Sequence, residues 1–266
     1  MTIASTSTSS PSQGLLFSFS EMNIEIENMR KLSAGFLEEN SFYSVIPMWQ
    51  QELSSYQMSR ATASVPWTIG ESKPIRTIPS IGKYECGGDG SHTVIGEVSA
   101  KWEIQLVRLK GKKKNHARSL FSLNGLASTK VRILEVMAEG ERELARWRFE
   151  IGDFQSPGCH FHVQVLGNDD DAIFPKTLAV PRLPGIMVTP MDALEFLLAE
   201  LFQDDWKRKT SRSSDALTAW AGCQRKRLTK VLEWQQTQLS TGSGSPWTLL
   251  KGSKPDSDLL IKESQS

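Results

Sequence analysis

The stretch VIGEVSAKWEIQLVRL (94–109) constrains this chain most. Val98, Ala100, Trp102, Ile104 and Leu106 alternate there with Glu97, Ser99, Lys101, Glu103 and Gln105. Successive side chains of a strand point to opposite faces, so this pattern predicts a long strand with one buried and one polar face. TKVRILEV (129–136) and ELARWRFEIG (143–152) repeat the alternation, the latter with Trp147, Phe149 and Ile151 inward. CHFHVQV (159–165) turns Cys159, Phe161, Val163 and Val165 inward and His160, His162 and Gln164 outward. The connections are short, which implies antiparallel hairpins. Asn124-Gly125 can close a further tight turn after SLFSL.

Helical periodicity flanks this centre. Met22, Ile26 and Met29 recur at helical spacing, and a second helix can start at Pro47 and carry Trp49, Leu53 and Tyr56. TPMDALEFLLAELF begins with a cap at Thr189, Pro190 in the first turn and Asp192 in the capping-box position. A last helix covers about 214–239. The expected fold is therefore α+β: an antiparallel sheet of about four to six strands, with helices from both chain ends on one face. The expected organisation is a disordered Ser/Thr-rich tail at 1–18 and a single domain at 19–239. That domain comprises N-terminal helices at 19–60, the sheet at 93–167 and C-terminal helices at 189–239. A flexible linker and tail follow at 240–266, with Trp247, Leu249 and Leu250 as its candidate anchors.

Composition excludes several classes. The net charge is +1, so no whole-protein field steers the chain to an anionic surface. Cys86, Cys159 and Cys223 are far apart and odd in number, which argues against a disulfide framework and a cysteine zinc site and fits a reducing cytoplasm. No apolar run is long enough to span a membrane, and no cofactor fingerprint occurs. Membrane association is not expected, and no cofactor is implied.

His160 and His162 carry the sharpest chemical signal. A His-x-His pair on a strand can be half of a metal site. It is similar to the metal motif of cupins, but there a glutamate and a later glycine and histidine complete the pattern. Here Gln164 and the acidic loop GNDDDAIF follow, so the family is not assigned and no metal site is expected. A hairpin closing about residue 155 sets Glu150 opposite His160, Arg148 opposite His162 and Arg146 opposite Gln164. A shift of two residues moves Glu150 to His162.

The outward face collects Lys101, Lys130, Arg132, Arg146, Arg148, His160 and His162 against Glu103 and Glu150. Beside it, KGKKKNHAR supplies Lys112, Lys113, Lys114 and Arg118, and QRKR adds a basic cluster on the last helix. Segregated cations are the local footprint of anion binding. The face has no aromatic residue for base stacking, which disfavours base readout. The expected function is a non-enzymatic cytoplasmic binding protein that contacts a polyanion such as nucleic acid, or an acidic protein partner. The alternative is a metal-dependent or histidine-assisted phosphodiesterase or nuclease using His160, His162 and Glu150.

Overall fold

The computed structural model describes residues 14–59, 63–81, 93–107, 119–155, 158–166 and 182–261. Lys112, Lys113, Lys114, Arg118 and the acidic loop from Gly167 lie outside the described residues. The strands are β1 (Leu16–Ser18), β2 (Val65–Ile69), β3 (Ile75–Arg76), β4 (Ser80–Ile81), β5 (Thr93–Val107), β6 (Leu120–Leu123), β7 (Ala127–Met137), β8 (Gly140–Ile151), β9 (Phe161–Leu166) and β10 (Leu183–Pro184). The helices are α1 (Phe19–Leu32), α2 (Ile46–Ser59, after a π-helical turn at Ser41–Val45), α3 (Pro190–Ser211), α4 (Asp215–Thr241) and α5 (Pro246–Gly252).

Helices and one large antiparallel sheet make the fold, but the sheet has ten strands where four to six are expected. The surplus is β1, β2, β3, β4 and β10, each two to five residues long and two of them holding a proline, too short for alternation to announce. Val98 pairs with both Ile75 and Val131, and Ile104 with both Val65 and Leu123. A strand has two edges, so β4, β3 and β2 follow one another along one side of β5, and β7 and β6 along the other. The junction of β6 and β7 turns at Gly125, whose φ of 76° suits a residue without Cβ.

The even-numbered side chains of β5 are apolar and join one cluster with residues from α1, α2, α3 and α4, among them Met22, Leu53, Leu197 and Trp220. Trp67 pairs with Trp102 across the strands, stacks on Trp49 at 4.1 Å and donates its Nε1–H to the Trp49 carbonyl at 2.9 Å. Both β-strand indoles are fully buried, and each contributes roughly 2–3 kcal/mol by leaving water. Helix α3 crosses β5 at Gly96, where a Cβ would meet Leu197 and Leu201 side-chain carbons at 2.6 and 2.7 Å. Its capping box forms as its sequence demands, with Asp192 accepting from the Thr189 amide at 2.9 Å.

Two boundaries differ from expectation. Residues 14–18 do not belong to a tail: Leu15, Leu16 and Phe17 are buried, and β1 pairs with β6. The segment after Thr241 is not a plain linker either, since α5 forms and the chain after it packs back. Leu16 donates its amide to the Ser257 carbonyl at 2.7 Å, Lys230 Nζ to the Leu260 carbonyl at 2.8 Å, and Lys254 Nζ to the Gly158 carbonyl at 3.1 Å. Pro255 and Leu260 are buried there. Trp247 stays exposed and anchors nothing. Among the described residues, no helix is long and apolar enough to cross a membrane.

Candidate functional site

The face of the sheet opposite the Trp67–Trp102 pair is polar, and its register orders it into rows. Arg76, Glu97, Arg132, Arg146 and Leu166 form one row across β3, β5, β7, β8 and β9. Ser99, Lys130, Arg148 and Gln164 form the next, and Thr68, Lys101, Ser128, Glu150, His162 and Pro184 a third. Five of the cations named from the sequence, Lys101, Lys130, Arg132, Arg146 and Arg148, therefore share this face as expected.

The acids that neutralise them were the part the alternation hides. Arg76 bonds Glu97 at 2.7 Å, Glu141 at 2.5 Å and Glu38 at 3.2 Å, and Arg132 also bonds Glu97. Arg146 Nε lies 2.8 Å from Glu143, and Lys130 Nζ lies 2.6 Å from Glu71. Pairing runs Ile133 to Ala145 and then Leu134 to Glu143, so Leu144 is a bulge. Beyond it the parity of β8 reverses, which brings Glu143 and Glu141 onto the polar face. Counting only Glu103 and Glu150 there also omits Glu97, whose outward position the alternation does predict. The face is an ion-pair lattice, and its first row offers no spare positive charge. On α4, Lys226 pairs with Glu21, and Arg227 is buried against Glu25 and Asp192.

The histidines correct the expectation more sharply. Neither lies on a solvated surface: His160 is 1% exposed and His162 3%. The β8–β9 hairpin has the shifted register, with Glu150 opposite His162, Arg148 opposite Gln164 and Arg146 opposite Leu166. His162 Nε2 stands 3.0 Å from Glu150 Oε2, its Nδ1 2.9 Å from the Cys159 carbonyl, and Ser128 donates to Glu150 Oε1 at 3.2 Å. Burial pushes the Glu150 carboxyl up, but the hydrogen bond and charge of His162, with Arg148 and Ser128, outweigh it and hold it below the ordinary carboxylate range. His160 precedes β9, and its ring lies 5.3 Å from that of Phe154, with neither nitrogen hydrogen-bonded. Burial, with Lys254 and His162 nearby, pushes its pKa down to about 3. His162 and Glu150 thus pair with each other while His160 makes no hydrogen bond to either, and no group of three His, Cys, Asp or Glu among the described residues could hold a metal.

A groove of about 630 Å³ opens across β2, β5, β7 and β8. Ser99, Lys101, Ser128, Lys130, Arg148 and Glu150 line it, with Glu71 and the half-exposed Leu126 at its margins. Lys130 is held by Glu71, but Lys101 is exposed and has no acidic partner among the described residues. Arg148 reaches Glu150 Oε1 at 3.5 Å through Nη1, beyond good hydrogen-bond length, and its buried Nε–H has no acceptor. Two cations with unused donors therefore face one concavity. The chain matches no family model, no curated protein and no solved structure, and what this face can do follows from its own groups.

Proposed function

We propose that the chain is a non-enzymatic binding protein whose groove, lined by Lys101, Lys130 and Arg148, receives the carboxylates of an acidic protein partner. The observation that carries this is the uneven pairing of the face. Most of its cations are bound to glutamates, whereas Lys101 and the Arg148 Nε–H are unsatisfied and lie in the same groove. An Arg fork with free donors is suited to a carboxylate, and a buried unpaired N–H gains when an acceptor arrives. A long polyanion is the weaker reading, because a nucleic acid needs many uncompensated cations along its backbone and this lattice leaves few. The rows carry no Phe, Tyr or Trp side chain on which bases could stack, and the His162 ring is buried.

Fluorescence anisotropy with a labelled polyglutamate peptide and a labelled single-stranded oligonucleotide, both at low salt, separates the two. Saturable polyglutamate binding is expected, tighter than that of the oligonucleotide. An oligonucleotide bound through the two open cations of the groove would show a salt slope of about −1.4. No polyglutamate binding, or tighter oligonucleotide binding with a steep slope, overturns the proposal.

A further inference from the structure

We propose that the groove's carboxylate subsite is the facing pair Lys130 and Arg148, and that Glu71 fills half of it until a partner's carboxylate displaces it. The inference deepens the binding reading above and rests on it. Lys130 on β7 stands directly opposite Arg148 on β8, which sets their Cβ atoms about 5 Å apart on one face. Like charges in that position destabilise a sheet unless an anion joins them. Glu71 answers only Lys130, at 2.6 Å. Among the acids of the described residues, Arg148 is reached by Glu150 alone, at 3.5 Å, and its buried Nε–H has no acceptor.

The adjacent pair on the same two strands shows the complete arrangement. Arg132 and Arg146 also face one another across β7 and β8. There Glu143 spans the pair, 3.7 Å from Arg132 and 2.8 Å from Arg146. No such carboxylate joins Lys130 to Arg148 among the described residues. Glu71 reaches over from the turn between β2 and β3, where the Lys73 amide donates to the Gly70 carbonyl at 3.1 Å. Its side chain is 63% exposed, and the hydrogen bond from Lys130 holds its carboxyl below the ordinary range, so it is ionised at neutral pH. An exposed ion pair of this kind contributes little. It yields to a carboxylate that engages both cations and satisfies the Arg148 fork. Glu71 is thereby a built-in competitor that sets how acidic a partner must be to bind.

The test uses the full chain, the labelled polyglutamate probe at low salt and a thermal melt to confirm folding. Glu71→Gln is expected to tighten binding about threefold, the worth of one exposed ion pair. Glu103→Gln is the control for charge alone. Glu103 shares the polar face but bonds Asn124, at 3.2 Å, and has no cation partner among the described residues. Its removal is expected to give a clearly smaller gain. Adding Lys130→Met or Arg148→Gln to Glu71→Gln should cancel the gain and leave binding no tighter than the parent's, since the incoming carboxylate spans both cations. Glu71→Gln binding like the parent, a gain matched by Glu103→Gln, or a gain kept without either cation overturns the inference while the binding reading stands. Failure of the parent to bind polyglutamate overturns both.

Discussion

His160 packs its ring against those of Phe154 and Phe161, 5.3 and 5.0 Å away, and neither of its nitrogens finds a partner. Its pKa falls from an ordinary 6.5 to about 3 because burial penalises the charged ring. Below about pH 6.5 the unfolded chain therefore takes up a proton that the folded chain refuses. The contribution of His160 to stability is full above that pH and is lost as the pH falls towards 3. Urea unfolding of the parent and His160→Leu should show the parent losing ~3 kcal/mol more than the variant between neutral pH and pH ~4. Parallel losses in the two proteins would contradict it. Period two assigns His160 and His162 to one face, but β9 starts at Phe161, so alternation does not govern the residue before it. The pairing of Glu150 with His162 was open in the sequence as a two-residue shift, since hairpin register depends on turn geometry that the residues flanking a strand do not fix.

At the scale of elements, long strands and capped helices were legible because each repeats a physical pattern many times over. The Thr189 cap with Pro190 and Asp192 is an example, and the formed capping box matches it. Single-residue irregularities were not legible. The bulge at Leu144 carries no signal in ELARWRFEIG, yet it moves two glutamates onto the charged face and removes the surplus of positive charge there. Gln203 is a second case: its φ of 33° kinks α3, so Asp204 and Asp205 begin the following helical segment, where the dipole favours acids. Partners far apart in sequence are equally silent. Arg227 on α4 is buried between Glu25 on α1 and Asp192 on α3. Burial alone would lower its pKa, but the two carboxylates raise it. Arg227→Ala strands Glu25, which is wholly buried, and should cost about 3–5 kcal/mol in denaturant unfolding. Arg227→Met with Glu25→Met should cost clearly less than the single change, because Glu25 is then not stranded and Asp192 keeps the Val188 and Thr189 amides. Equal costs would show that the helices are not joined through this pair.

Across the whole molecule, the first and last described segments meet. Beta strand β1 and the segment after α5 share the Leu16–Ser257 hydrogen bond, and Leu260 is buried beside α4. A chain ending at Gly252 should therefore melt about 5 °C or more below the parent, since it uncovers buried apolar surface. An unchanged melt would mean that the segment contributes nothing. Local composition hides this docking, because STGSGSPW reads as linker and the burial lies beyond it. The polar face was legible as a strip of cations and illegible as a paired lattice, since pairing depends on register, bulge and distant acids together. What the lattice leaves open is the groove, and charge reversal there is the most direct measurement. Polyglutamate affinity should fall by at least about tenfold in Lys101→Glu and again in Arg148→Glu, with melting temperatures near the parent's. Affinity unchanged in both variants would contradict a groove that receives an acidic partner.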